Sequence, residues 1–210
     1  MVKVLDGVYS IDHSETGDHS LKTWILDNGE GMVLVDGGMR GTAVDNIGKE
    51  LESIGRSWAD VRLILVTHKH RDHVNNLPRL VELTGAPVEA EELEAPLIEA
   101  ALGVKVGGLK HRQVLDICGG VEVVHVPGHS EGNAAFYLRK QRAMIAGDTI
   151  FGDSEGGLTA PPERYCLYAA QAAREIRRLL DYDFEYLLIT HGRDIMGDAK
   201  KCVRMLVERC

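Results

Sequence analysis

The chain has 210 residues, with 24 Lys and Arg against 32 Asp and Glu and a formal charge of −8 at pH 7. That length is enough for one large core, so a single domain over residues 1–210 is expected. The acidic balance argues against a nucleic-acid surface, which needs clustered cations to displace counterions.

In chain order, Val2 to Ile11 and Leu21 to Asp27 alternate like strands, and a turn at Asn28-Gly29-Glu30-Gly31 leads into a strand from Met32 to Val35. Thr42 to Ile54 has helical spacing, with Ala43, Val44, Ile47, Leu51 and Ile54 on one face. A buried strand over Val61 to Val66 follows, then a short helix after His73 through Leu83, a strand over Pro87 to Ala90, and a helix over Glu91 to Leu102 containing Pro96. In the second half, strands at 121–126, 134–138 and 143–146 precede a long helix from Pro162 to Leu180, its apolar face carrying Leu167, Ala170, Ala173, Ile176 and Leu180. A strand from Phe184 to Thr190 and a helix from Asp198 to Glu208, with Asp198 as its N-cap, close the chain. Two mixed sheets faced by helices would cover every apolar face, an α/β arrangement.

No apolar run approaches the roughly 18 residues needed to cross a bilayer, and the start M-V-K-V-L-D-G-V-Y-S lacks the apolar core of a secretion signal. Cysteines at 118, 166, 202 and 210 have no C-x-x-C spacing and read as ordinary thiols of a reducing compartment. The expected protein is therefore cytoplasmic, with no membrane partner.

The run Thr67 to His73, T-H-K-H-R-D-H, carries the most chemistry. Strand side chains repeat every two residues, so His68 and His70 leave the end of the preceding strand on the same side and can reach one ion. A helix starting there would carry Asp72 and His73 to a neighbouring point beside a second ion. The run cannot complete such a site alone, because each ion needs about four ligands. Further groups stand after other strand-like runs: His129 after Val121 to Val126, Asp148 after Ala143 to Ala146, and His191 after Tyr186 to Ile189. Five of the nine histidines fall on this pattern; His13, His19, His111 and His125 read as surface or internally satisfied residues.

H-x-H-x-D-H followed by a lone His, a lone Asp and a last His resembles the metallo-β-lactamase superfamily, over about Asp36 to Gly192. The resemblance implies a four-layer αββα sandwich. It also implies that His68, His70 and His129 bind a first metal, that Asp72, His73 and His191 bind a second, and that Asp148 bridges them. Asp36, in M-V-L-V-D-G-G, would brace the ligands. The implied cofactors are two divalent ions, zinc first with iron or manganese as alternatives. The implied reaction is hydrolysis of a small ester, thioester or similar acyl substrate by a metal-bridging hydroxide, with Asp72 orienting that nucleophile and accepting its proton. Two divalent cations would also let the cavity attract an anionic small molecule despite the negative total. Assembly into a homo-oligomer is compatible with the sequence.

Departures from the subfamilies narrow the expectation. Dedicated β-lactamases place Cys or Ser at the position of Asp148. Glyoxalase II enzymes share the ligands and a G-D-T-[LI]-F segment, here Gly147 to Phe151, yet their glutathione-anchoring Lys and Tyr correspond to Gly157 and Thr159, and their C-terminal helical region is expected to be missing. Lactone-hydrolysing relatives carry Tyr where this chain has Phe151. The RNA-processing branches need insertions for which the interval from His129 to His191 has no room. An iron-dependent persulfide dioxygenase-like oxidoreductase, a lactone or phosphodiester hydrolase of the same fold, and a non-catalytic metal-binding module remain as alternatives. Substrate contacts are expected from the loops Asp12 to Ser20, a candidate lid, Gly103 to Lys110, and Asp153 to Pro162. Tyr165 and Tyr168 either face the cavity or, as the favoured reading, pack the core side of the long helix.

Overall fold

The computed structural model describes residues 1–14, 21–27, 29–39, 41–153 and 155–210. Most of the expected Asp12 to Ser20 lid, together with His19, lies outside them. The chain divides into two compact units, Met1–Gly108 and Leu109–Cys210.

The first unit is organised by a seven-stranded mixed sheet among the described residues, with strands in sequence order. These are β1 (Val2–Leu5), β2 (Val8–Asp12), β3 (Lys22–Asp27), β4 (Met32–Val35), β5 (Val61–Val66), β6 (Val88–Glu91) and β7 (Val106–Leu109). The first four pair antiparallel, while β4, β5 and β6 run parallel. V-R-L-I-L-V of β5 is buried everywhere except Arg62, as a central parallel strand covered on both faces requires. Its register with β4 pairs Val35 with Leu65, so Asp36 leaves β4 beside the segment that leaves β5.

Helix α1 (Gly41–Ser53) buries Ala43, Val44, Ile47 and Leu51. Each of its larger apolar side chains contributes roughly 1.5–3 kcal/mol on full burial. Ile47 and Leu51 join Ile64, Val66, Leu77 and Leu80 in one core.

Four expectations shift in this unit. The strand read over Val2 to Ile11 is two strands, turned at Gly7, where φ is +68° and a Cβ would lie 2.5 Å from the Asp27 carbonyl oxygen. The helix expected after His73 starts earlier, as the single turn α2 (Arg71–Val74), and resumes as α3 (Leu77–Thr84). The helix read over Glu91 to Leu102 is α4 (Ala95–Leu102), with Pro96 in its first turn, where a missing N–H costs nothing. Part of the expected Gly103 to Lys110 loop is the strand β7.

The second unit holds a six-stranded mixed sheet among the described residues, ordered β15-β14-β11-β10-β9-β8. Its strands are β8 (Val114–Leu115), β9 (Val121–His125), β10 (Ala134–Leu138), β11 (Ala143–Ile145), β14 (Tyr186–Leu188) and β15 (Ile195–Met196). A separate hairpin joins β12 (Phe151–Gly152) to β13 (Leu158–Thr159), inside the expected Asp153 to Pro162 loop. Register explains what this sheet delivers. Phe136 of β10 lies level with Val123 on one side and Ile145 on the other, and Ile145 pairs in parallel with Leu188. Strands β9, β11 and β14 thus run the same way and end together. Asp148 and His191 each stand three residues beyond the paired Ile145 and Leu188.

The long helix expected over Pro162 to Leu180 is corrected to several pieces. A 3₁₀ turn over Glu163–Tyr165 leads to extended backbone at Cys166, then α5 (Ala169–Glu175) and a 3₁₀ segment over Ile176–Asp181. The Leu167 N–H donates to the His129 carbonyl at 3.0 Å and the Tyr168 N–H to that of Gly128 at 2.8 Å. These sheet-like ties override the helical spacing. Leu167, Tyr165 and Tyr168 are exposed, so the two tyrosines are not core. Helix α6 (Ala199–Val207) follows Asp198, which sits at the N-cap position in left-handed conformation without a side-chain capping bond.

Among the described residues, no helix is long and apolar enough to cross a membrane.

Candidate metal centre

In the first unit, the chain leaves β5 through Thr67 and turns into α2 at His70, whose extended backbone starts the helix. His68 and His73 are fully buried, His70 and Asp72 partly. The His68 ring lies 4.6 Å from that of His70 and 4.1 Å from that of His73, centroid to centroid. His68 and His70 offer ligand atoms within 4.8 Å of each other, as do Asp72 and His73.

Asp36 organises this cluster. It is buried at φ +64°, a left-handed conformation that Asp tolerates better than most residues. Its Oδ1 accepts the Thr67 N–H at 2.8 Å, its carboxylate accepts the Thr67 hydroxyl, with Oδ2 at 2.9 Å, and Oδ2 also accepts the His73 Nδ1–H at 2.7 Å. The His68 Nδ1 lies 3.1 Å from the Thr67 hydroxyl oxygen, which accepts its hydrogen because the hydroxyl hydrogen is already given to Asp36. In both histidines Nδ1 is therefore the protonated nitrogen, which makes Nε2 the lone-pair donor. Asp36 thus holds His73 directly and His68 through Thr67.

Behind Asp36 lies a second buried pair. The Thr23 hydroxyl donates to the Asp36 carbonyl at 3.1 Å, so His13 Nε2 donates to the Thr23 oxygen at 3.0 Å. Burial holds the His13 imidazole neutral by lowering its pKa to about 4, against a smaller opposing pull from Asp12. Lys69, between the first two histidines, gives its N–H to the buried carboxylate of Glu94 at 2.9 Å.

In the second unit, His129, Asp148 and His191 follow β9, β11 and β14, the first two buried and the last partly so. Asp148 sits in a 3₁₀ turn at φ −96°, ψ 18°, a sparsely populated region frequent at active sites. Its two oxygens face different histidines: Oδ2 lies 3.4 Å from His129 Nε2, and Oδ1 lies 3.4 Å from His191 Nε2. Both gaps exceed an ordinary hydrogen bond, whereas two ligands each about 2.0–2.1 Å from one tetrahedral ion stand about 3.4 Å apart. One carboxylate thus offers a separate oxygen toward each imidazole, as a bridge between two ions would. In the first unit, His73 Nε2 and Asp72 Oδ2, 3.7 Å apart, are spaced in a similar way. The donors are imidazole nitrogens and carboxylate oxygens, which suit zinc, iron and manganese.

Neighbours absent from the sequence reading hold this cluster. Buried Asn133 donates to the Val126 carbonyl at 3.0 Å and to the Thr149 hydroxyl at 2.9 Å, clamping the His129 turn to the Asp148 turn. Gly128, at φ +124°, lets the same turn meet α5, since a Cβ there would lie 2.2 Å from the Ala172 nitrogen. The Phe151 ring stacks on His191 at 4.9 Å, and the Gly152 N–H donates to the His191 carbonyl at 2.8 Å. Gly152 and Gly192 press backbone to backbone: a Cβ on Gly192 would meet the Gly152 Cα at 2.6 Å, and a Cβ on Gly152 would meet the Gly192 Cα at 2.9 Å. The Cys166 thiol lies 3.7 Å from His129 Nδ1, and burial pushes its pKa up, helped by the carboxylates of Asp148 and Glu163.

The structure thus brings together His68, His70, Asp72 and His73 in one unit and His129, Asp148 and His191 in the other. The model of the metallo-beta-lactamase superfamily matches residues 17–191. The chain belongs to that superfamily. A hydroxyacylglutathione hydrolase from Ectopseudomonas mendocina is 34% identical over 100 residues, covering 45% of this chain and 35% of its own length. Another so named, from Pseudomonas aeruginosa, is 36% identical over 115 residues, 52% of this chain and 42% of that one. The chain therefore spans less than half the length of these two relatives.

Solved structures share the superfamily fold across nearly all of the chain. A metallo-beta-lactamase from Pontibacter korlensis, 20% identical, matches with a TM-score of 0.79 over 100% of this chain and 98% of that one. A metallo-beta-lactamase family protein from Thermus thermophilus, 21% identical, matches with a TM-score of 0.78 over 99% of this chain and 80% of that one. At these identities the likeness concerns fold alone.

Proposed function

We propose that residues 1–210 act as one catalytic domain in which the two ligand clusters jointly hold two divalent ions, zinc first, and that the chain hydrolyses a small ester, thioester or similar acyl substrate. His68, His70 and His129 would take one ion, and Asp72, His73 and His191 the other. The observation that carries the reading is Asp148, which turns one oxygen toward each of two histidines at 3.4 Å. Superfamily membership and the hydrolase relatives support the reaction class.

Bound ions would supply Lewis acidity, bringing the pKa of a coordinated water to about 7 and polarising the acyl oxygen. The chain's own residues do the rest. Asp72 orients the attacking water and accepts its proton, water adds to the acyl carbon, and the C–O or C–S bond breaks as the leaving group takes up a proton. Asp36 and Thr67 keep the Nε2 atoms of His68 and His73 aimed as donors.

Glutathione is a poor fit for the leaving group. Gly157 and Thr159 stand where glyoxalase II enzymes carry their glutathione-anchoring Lys and Tyr, and neither supplies a cation or a phenol. A cytoplasmic setting fits Cys118, Cys166, Cys202 and Cys210, none of which is in a disulfide. The negative charge disfavours nucleic acid as substrate.

The test is elemental analysis of freshly purified protein joined to an ester, thioester, lactone and phosphodiester panel assayed before and after chelation. About two zinc-like ions per chain and chelator-sensitive acyl hydrolysis are expected. A single iron with oxygen consumption on a persulfide, or turnover untouched by metal removal, would overturn the reading.

A further inference from the structure

His73 and His129 pose the same chemical problem. A neutral imidazole carries one N–H, so ligation through Nε2 requires the hydrogen on Nδ1 and a group there to accept it. His73 meets this with the Asp36 carboxylate at 2.7 Å. At His129 the neighbour of Nδ1 is the Cys166 sulfur at 3.7 Å, within reach of a sulfur hydrogen bond. That sulfur also lies 3.5 Å from the Pro162 carbonyl oxygen and 3.7 Å from that of Pro161. Carbonyl oxygens only accept, so a thiol hydrogen given to them leaves a sulfur lone pair facing Nδ1.

The backbone fixes this meeting independently. The Cys166 N–H closes the 3₁₀ turn on Glu163 at 3.0 Å, and the next residue, Leu167, donates to the carbonyl of His129 itself at 3.0 Å. The extended stretch that broke the expected helix is what carries the thiol to the ring.

We propose that Cys166 is a positioning residue for His129: its sulfur accepts the Nδ1–H, selects the tautomer with Nε2 as the metal-binding nitrogen, and holds the ring toward Asp148. This rests on His129 being a metal ligand, as proposed above. It acts through His129 and makes no bond to metal or substrate.

The experiment compares the full chain with its C166A and C166S variants. Zinc affinity is measured by competition with a chromophoric chelator, the His129 tautomer by ring ¹⁵N shifts of the metal-depleted protein, and folding by thermal melting. C166A is expected to lose about 10-fold in zinc affinity, as removal of an outer partner of a metal-binding histidine does, and to show a mixed tautomer. C166S, whose hydroxyl both donates and accepts, is expected to restore most of both at a similar melting temperature. Zinc affinity and tautomer unchanged in C166A would overturn the proposal, as would C166S falling as far as C166A. A parent chain that binds no zinc would instead overturn the metal site itself.

Discussion

Four ligand candidates in the first unit come from six consecutive residues at the end of β5, whereas the three in the second come from turns after β9, β11 and β14. The first cluster owes its shape to one strand end and one buried acid, Asp36, which reaches Thr67 and His73 together. The second is assembled by sheet register and then fastened by contacts between turns, such as Asn133 to Thr149. Their outer partners differ as well: a carboxylate at 2.7 Å for His73, a thiol at 3.7 Å for His129. A site gathered locally needs an electrostatic brace, and one gathered from distant segments needs the whole sheet in register.

The largest expected effect breaks the second cluster at its shared member. Asp148→Ala removes the oxygen facing each of its two histidines, so bound metal should fall and hydrolysis drop to background while far-UV circular dichroism is retained; His68→Ala should do the same from the first cluster. Full turnover in a metal-depleted Asp148→Ala preparation would contradict the shared role of the carboxylate.

Next comes acid sensitivity in the first unit. His13 is neutral in both folded and unfolded chains above pH 6.5, its ordinary value; below that the unfolded chain takes up a proton that the folded one refuses until about pH 4. Stability should therefore fall with pH across that window, by up to about 3 kcal/mol. In urea melts, His13→Gln should flatten the dependence; an unchanged slope between pH 6.5 and 4 would assign it to other groups.

A finer change tests the brace. Asp36→Asn keeps the shape but not the charge facing His73 Nδ1, and should weaken zinc binding about 10–100-fold. Chelator competition reads this directly, and an affinity equal to the parent's would mean that Thr67 alone orients the ring.

The first cluster was legible because strand alternation is local: His68 and His70 declare their shared side within three residues. Asp36 was legible for a related reason, as an acid directly after a buried strand. His129, Asp148 and His191 could be read only as an ordered set, since the parallel pairing of β11 with β14 that aligns the last two leaves no periodic trace. Asn133 and Glu94 carry no signal in the sequence, and Cys166 reads there as an ordinary thiol, because a hydrogen bond between distant segments imposes no spacing on the residues around it. The long helix failed for the opposite reason. Leu167, Ala170, Ala173 and Ile176 mimic a helical face, but backbone bonds from Leu167 and Tyr168 to the His129 turn were worth more than continuing the helix.

The contact of Gly152 with Gly192 bears on how this site can vary. Where two larger residues meet, growth of one can be absorbed by shrinkage of the other, so lineages drift along compensating pairs. Here both partners already sit at the lower limit of size. No second-site change at either position can rescue a substitution at the other, and the two strand exits that carry Asp148 and His191 can diverge only elsewhere.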